Sequence, residues 1–171
     1  MPPHLYHFSE DPGIERFEPR APDARPEIEP LVWAIDEWHA PMYYFPRECP
    51  RILVWTLPST SAADRERWFG ASGARILAHI EWGWLERMRS TSVYRYVFDS
   101  AGFEDLQDAG MHVSRSVVTP LEVAPVGDLL EALRGAEVEL RVLEELTPLR
   151  GVWETSLHAS GIRLRNAVRW T

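Results

Sequence analysis

The chain has 171 residues, which is a typical length for one compact domain, and 45% of them are hydrophobic, which excludes a disordered chain. The formal net charge is −8 and all 18 cationic side chains are arginines, so we expect no electrostatic attachment to nucleic acid or to an anionic membrane. The single cysteine excludes an internal disulfide, and no hydrophobic run approaches the ~20 residues of a membrane span. We therefore expect one globular domain, residues 1–171, in the cytoplasm.

The first elements surround a long irregular segment. Residues 5–8 read as a short strand, and residues 11–30 hold several prolines between charged residues, which is typical of a loop. Residues 31–35 form an apolar run typical of a buried strand. Asp36 is placed to cap the following turn, with Pro41 early in a short helix.

The rest of the chain alternates short strands with short helices. Strands are predicted at 51–57, 75–82, 93–98, 111–118, 121–123, 138–143 and 161–166, and helices at 62–69, 84–89, 125–134 and 148–156. The helix at 62–69 is predicted to be capped near Ser61, and two-residue alternation in the strand at 93–98 puts Tyr94, Tyr96 and Phe98 on one face. Because the strands outnumber the helices and do not alternate with long ones, a doubly wound parallel sheet is disfavoured. The predicted fold class is α+β, with a mixed, mainly antiparallel sheet and short helices.

His7 and Ser9 are candidate ligand contacts in the first strand. Side chains two residues apart on a strand point to the same face, so the two could bind one ligand together. The alternative is a partly buried strand histidine beside a turn-forming serine.

Asp36, Glu37 and His39 form the densest group of metal-ligand side chains. Asp36 and His39, at i and i+3, could share a helical face, and His7, Glu81 or His158 could complete a ligand set from elsewhere in the chain. Their spacing fits neither an HExxH helix nor a Cys/His zinc pattern, so no metal is expected and a capping role for Asp36 is preferred.

Glu81, Arg163 and Arg165 are the other candidates. Glu81 lies between Ile80 and Trp82 at the end of a predicted strand, where an apolar setting suits a general acid or base, although many such glutamates only mark a strand end. The two arginines on one predicted strand face suit a phosphate or carboxylate, or equally a structural ion pair.

Cys49 lies between Arg47 and Arg51, which could activate a thiol, but its flanking prolines favour a structural turn. The sequence contains no GxSxG, GxxxxGK or GxGxxG pattern, which removes the simplest hydrolase, P-loop and Rossmann interpretations.

Three stretches carry a family resemblance: LYHFSEDPGIERFEPR, PLVWAIDEWHAPMYYFPRECPR and SLHASGIRLRNA. With these, the chain resembles a bacterial protein family of unknown function. It more distantly resembles the ADP-ribosyltransferase-like fold, in which a histidine holds the nicotinamide ribose and an aromatic side chain stacks on nicotinamide. That resemblance implies NAD as cofactor, with His7 and Tyr43 in those two roles and Trp33 on the neighbouring strand.

The leading hypothesis is a domain that binds NAD or a related nucleotide-like small molecule, with Glu81 as the catalytic carboxylate of a glycosyl transfer. A binding module without catalysis and a metal-dependent hydrolase are the alternatives. Whether the chain is an enzyme, and its oligomeric state, stay open at this point.

Overall fold

The computed structural model describes residues 2–23 and 25–171. The chain forms two compact units, each made of two separate segments. The first unit comprises Met1–Tyr44 and Ser92–Gly127, and the second comprises Phe45–Thr91 and Asp128–Thr171. The single domain expected from the sequence stays a prediction, and each unit is described by itself.

The strands and α-helices of the described residues are short. In chain order the strands are β1 (His4–Ser9), β2 (Val32–Ile35), β3 (Arg51–Trp55), β4 (Ile76–Glu81), β5 (Tyr94–Asp99), β6 (Glu104–Asp105), β7 (Met111–Ser114), β8 (Glu122–Pro125), β9 (Val138–Leu143) and β10 (His158–Ile162). The α-helices are α1 (Ala62–Phe69), α2 (Leu85–Ser90) and α3 (Leu129–Gly135). Further 3-10 helices cover Ala40–Tyr43, Trp82–Trp84, Thr147–Glu154 and Leu164–Asn166.

The first unit is built on one antiparallel sheet with the strand order β6-β7-β2-β1-β5-β8. Leu5 lies opposite Phe98, and both are fully buried. The two-residue alternation puts Tyr96 on the same face as Phe98, as the sequence predicted, and Phe17 packs edge-on against both rings. This face carries the core of the first unit.

Asp36 follows β2 and turns the chain into the 3-10 helix Ala40–Tyr43. Its carboxylate accepts the backbone N–H of His39 at 2.8 Å, and Pro41 lies in the first turn of the helix. Asp36 thus caps the turn that follows β2, as predicted, whereas the 3-10 helix itself begins after His39 without a side-chain cap.

The second unit has a sheet with the strand order β10-β3-β4-β9, in which β4 and β9 are parallel and the other neighbours antiparallel. Every residue of β3 and β4 is buried, including the polar Arg51, His79 and Glu81, so both faces of these two strands are covered. Phe69 at the end of α1 packs on Ile52 and Leu77 from these two strands. The predicted cap Ser61 accepts the N–H of Asp64 at 3.1 Å.

Several predicted elements have other bounds in the structure, and for two of them the cause is visible. The helix predicted over residues 125–134 begins only at Leu129, because Pro125 pairs in β8 and the side chain of Asp128 accepts the N–H of Glu131. The strand predicted over 161–166 ends at Ile162, because Arg163 adopts a left-handed conformation with φ of 55°.

The fold class is therefore α+β, with two mostly antiparallel sheets and a few short helices, and this prediction is confirmed. No helix in the described part of the chain has both the length and the hydrophobicity needed to cross a membrane.

Candidate functional site

His7 forms a hydrogen bond and ring contacts within the first unit. Its Nδ1 lies 2.9 Å from the backbone oxygen of Trp33, so the ring N–H donates to a carbonyl of the neighbouring strand. The ring is partly buried and packs on Phe17, with the two centroids 4.8 Å apart. His7 therefore contributes to the pairing of β1 with β2 and to the core beside it.

Tyr43, the predicted stacking residue, lies on the other face of this sheet. Its ring stacks on Phe8, with centroids 6.2 Å apart and an interplanar angle of 7°. Phe8 follows His7 directly in β1, and successive strand residues point to opposite faces. One ligand therefore cannot contact both the His7 ring and the Tyr43 ring without the sheet intervening.

Trp33 falls on the same face as Tyr43. Ile35 lies opposite Tyr6 in the register of β1 and β2, so Trp33, two residues earlier, shares the face of Tyr6. Ser9 shares the face of His7 by the same alternation. His7 and Ser9 thus lie on one face of the sheet, and Trp33 and Tyr43 lie on the other. The sheet therefore separates these four predicted cofactor contacts.

Glu81 is buried in the second unit, with 3% of the residue exposed. Its Oε1 accepts the backbone N–H of Val168 at 2.9 Å and that of Leu146 at 3.3 Å, and Oε2 lies 3.2 Å from the same Val168 nitrogen. The carboxylate therefore ties two later segments of the chain to the end of β4. A catalytic role for Glu81 stays a prediction.

Arg163 and Arg165 do not share a strand face, so that part of the prediction is wrong. The left-handed Arg163 ends the strand, and Arg165 lies in the following 3-10 helix. Both guanidinium groups approach the carboxylate of Glu48, at 3.9 and 3.5 Å. Their contacts match the structural ion pair that the sequence left as the alternative.

His158 belongs to the second unit, whereas Asp36 and His39 belong to the first. The His158 ring stacks on Trp55 with centroids 4.1 Å apart, and its Nε2 lies 3.0 Å from the Ser160 hydroxyl. Across residues 2–23 and 25–171, no group of three or more His, Cys, Asp or Glu side chains is gathered in a way that could hold a metal ion.

Cys49 is fully buried. Burial raises the pKa of its thiol to about 12, against the opposing influence of the positive charge of Arg51. The thiol is thus protonated at neutral pH, and the sequence hypothesis of an arginine-activated nucleophile at this position is wrong.

Asp36 and His39 form a hydrogen-bonded pair of side chains in the first unit. The same oxygen of Asp36, Oδ1, accepts both the His39 backbone N–H and the His39 ring Nδ1–H, the latter at 2.7 Å. Of the two side chains, 26% of Asp36 and 18% of His39 remain exposed. The ring is therefore fixed in orientation while part of the pair stays accessible to solvent.

Gly110 packs directly against the Asp36–His39 pair. Its carbonyl accepts the backbone N–H of Asp36 at 3.0 Å, and its φ of 73° lies in the left-handed region. A Cβ at this position would lie 2.3 Å from His39 Nδ1 and 2.6 Å from Asp36 Cγ. Both the space and the backbone conformation therefore require glycine here.

Gly110 ends a strained turn between β6 and β7. Gln107 and Ala109 have φ values of 56° and 47°, which residues other than glycine adopt at a cost of about 1 kcal/mol or more each. Strain of this kind persists where the surrounding structure holds it and is frequent at functional sites.

His112 lies in β7, two residues after Gly110, and is only 2% exposed. Its Nδ1 lies 2.9 Å from the Gly110 oxygen, so Nδ1 carries a proton and donates it. Its buried Nε2 has no hydrogen-bond partner among the described residues, and the nearest carboxylate oxygen, on Asp105, is 3.9 Å away. Asp105 lies directly opposite His112 in the pairing of β6 with β7.

The charge on Asp36 is stabilised by its neighbours. Burial by itself raises the pKa of the carboxyl group, but the hydrogen bonds from the His39 ring and backbone outweigh burial and hold that pKa below its usual range. An ionised Asp36 can only accept, so the neutral His39 ring carries its proton on Nδ1 and its lone pair on Nε2. This is the tautomer that a general base needs.

The sequence identified Asp36 and His39 as neighbours but assigned them to weak metal binding. The contribution of Gly110 and His112 was missed, because these residues lie more than 70 positions away and contact the pair only through the pairing of β2 with β7. The cluster of Asp, Gly and His at 108–112 was the available signal.

Comparisons with curated proteins and with solved structures gave no match. The distant resemblance to the ADP-ribosyltransferase-like fold is not supported by any of the comparisons. The resemblance to a family of unknown function is confirmed over nearly the whole chain. A family model described as a family of unknown function, DUF6886, matches residues 6–167, and the chain belongs to that family.

Proposed function

We propose that the protein is an enzyme in which the Asp36–His39 pair moves a proton during hydrolysis or group transfer. The observation that carries this proposal is the 2.7 Å hydrogen bond from His39 Nδ1 to Asp36 Oδ1. A carboxylate in this position fixes the tautomer and the orientation of an imidazole that acts as general base.

The proton balance of the proposed step is simple. His39 Nε2 takes a proton from water or from a substrate hydroxyl as the oxygen attacks an electrophilic centre, and the resulting imidazolium is stabilised by ionised Asp36. The imidazolium then returns the proton to the leaving group. Because the pKa of Asp36 is lowered, the carboxylate stays charged and does not take up the proton itself.

The earlier hypotheses remain as competing outcomes. Use of NAD through His7 and Tyr43 stays a prediction, although the opposite faces that these residues occupy disfavour a shared ligand. The metal-dependent hydrolase needs Asp36 as a ligand, whereas the present proposal uses its Oδ1 to orient His39. A binding module would keep the same geometry but turn over no substrate.

Nuclear magnetic resonance of the ring nitrogens of His39 tests the geometry without a known substrate. For the ring in its neutral form, reached by raising the pH, we expect ¹⁵N shifts that show a protonated Nδ1 and an unprotonated Nε2, and a loss of this preference in Asp36→Asn. A His39 ring protonated at Nε2 alone would overturn the proposal.

Turnover is tested with chromogenic nitrophenyl esters, phosphates and glycosides, and with NAD. The variants are His39→Gln and, as a matched control on an exposed histidine of the same unit, His4→Gln. On the probe that the wild type hydrolyses we expect a loss of about 10²- to 10⁴-fold in His39→Gln and none in the control. Equal rates in both variants would contradict the proposal, and NAD cleavage that survives His39→Gln would favour the transferase hypothesis.

A further inference from the structure

We infer that His112 is a positioning residue for the Asp36–His39 pair and acts through the carbonyl group of Gly110. The inference rests on the proposed function of that pair. His112 itself does not reach the reacting atoms in this account, because the Gly110 peptide lies between its ring and His39.

The Gly110 oxygen accepts two hydrogen bonds. One comes from the backbone N–H of Asp36 at 3.0 Å, and the other from His112 Nδ1 at 2.9 Å. The two donors fix both the position and the direction of the Gly110 peptide. Its Cα in turn packs against the Asp36 carboxylate and the His39 ring, where a single added carbon would overlap both side chains.

The strain in the turn shows why a second donor matters. Gln107 and Ala109 have positive φ values, which are strained for residues other than glycine, so the hydrogen bonds at the end of the turn help to hold this conformation. The N–H of Asp36 alone is one bond at the end of a strand. His112 adds a bond from inside the sheet, on a ring that is almost fully buried and therefore held in place.

A purely space-filling role fits His112 less well. A buried imidazole whose Nε2 finds no partner is costly compared with an apolar side chain of similar volume. The carboxylate oxygen nearest to Nε2 belongs to Asp105 of β6 and is 3.9 Å away. The feature that distinguishes histidine from leucine here is the Nδ1–H donated to Gly110.

The test compares His112→Asn with His112→Gln. The asparagine side-chain nitrogen takes the place of Nδ1 and keeps the donor to Gly110, whereas the glutamine nitrogen lies one carbon further out. His112→Leu removes the donor and keeps most of the volume. The readouts are the ring ¹⁵N shifts of His39 and the rate on the probe that the wild type turns over.

We expect wild-type His39 shifts and a rate within about 3-fold in His112→Asn, and a mixture of tautomers with a rate about 10- to 100-fold lower in His112→Gln and His112→Leu. If His112→Leu does not fold, the asparagine and glutamine variants decide. Equal His39 shifts and rates in these two would overturn the inference.

The two proposals fail in different ways. If the wild-type His39 ring lacks a protonated Nδ1, the proposed function of the Asp36–His39 pair fails first. If the wild type shows that proton and His112→Gln keeps it unchanged, the pair stands and only the positioning role of His112 is lost.

Discussion

In the second unit Glu81 and His79 bond to backbone groups, whereas in the first unit Asp36 and His39 bond to each other. The Glu81 carboxylate accepts backbone N–H groups, and His79 Nδ1 donates to the Ile52 carbonyl at 3.0 Å. Both residues are more deeply buried than the Asp36–His39 pair. Burial of a titratable side chain therefore does not by itself identify a functional site. Its role depends on whether its hydrogen-bond partner is a backbone group or another side chain.

Backbone partners make a polar side chain part of the scaffold, since losing it leaves a peptide group unsatisfied. Side-chain partners with remaining exposure leave a proton that can be exchanged with a substrate. Three predictions test this distinction, and each compares a residue of one unit with a matched variant.

Removal of the Glu81 carboxylate should have the largest effect. Glu81→Ala leaves the N–H groups of Leu146 and Val168 without their acceptor, and we expect the free energy of unfolding to fall by about 4 kcal/mol in denaturant titrations. Glu81→Gln keeps one oxygen and should lose about half as much. A Glu81→Gln protein of near wild-type stability that has lost turnover would show instead that Glu81 is catalytic.

His79 should make the protein sensitive to acid. Burial lowers its pKa from 6.5 to about 4, so the unfolded state takes up a proton at a higher pH than the folded state. The stability from neutral His79 is present above pH 6.5 and is lost as the pH falls toward 4, by about 3 kcal/mol.

The control for this titration is His79→Asn, which keeps a donor for the Ile52 carbonyl but does not titrate. We expect its unfolding free energy to decline less steeply than that of the wild type between pH 7 and pH 4. Parallel curves for the two proteins would contradict the assignment of the acid sensitivity to His79.

Gly110→Ala should cost about 3 kcal/mol, similar to the effect expected from His79, and this cost is specific to the first unit. Gly102 provides the control, because it also has a positive φ, of 83°, but an added Cβ there would meet nothing within 4 Å. We expect Gly102→Ala to cost about 1 kcal/mol for conformation alone and Gly110→Ala about 2 kcal/mol more, for the overlap with Asp36 and His39. Thermal unfolding of the two variants measures the difference. Equal losses of stability would mean that Gly110 does not pack tightly against the Asp36–His39 pair.

The sequence predicted the features that depend on neighbouring residues. The Ser61 and Asp36 caps follow from side chains that bond a nearby backbone N–H, and the shared face of Tyr96 and Phe98 follows from the strand period.

Features that depend on distant contacts were not predictable in the same way. The left-handed backbone of Arg163 is unusual for a residue other than glycine, and nothing in the adjacent residues signals it. The candidate site depends on β2 pairing with β7, which brings Gly110 to Asp36, and no local pattern sets that register. Tyr43 and His7 were assigned to one pocket because of the resemblance to the ADP-ribosyltransferase-like fold. The sequence by itself does not show which face of a sheet a later helix covers.

The order of the strands along the chain affects folding during synthesis. β1 pairs along its whole length with β5, from His4 opposite Asp99 to Ser9 opposite Tyr94, yet β5 leaves the ribosome roughly 90 residues later. At 5 to 20 residues per second that delay is about 5 to 18 seconds. During this time the nascent chain carries a strand whose principal partner does not yet exist, which slows folding and exposes an edge to other chains. Chaperone dependence during translation, rather than instability of the finished protein, is the expected cost of this connectivity.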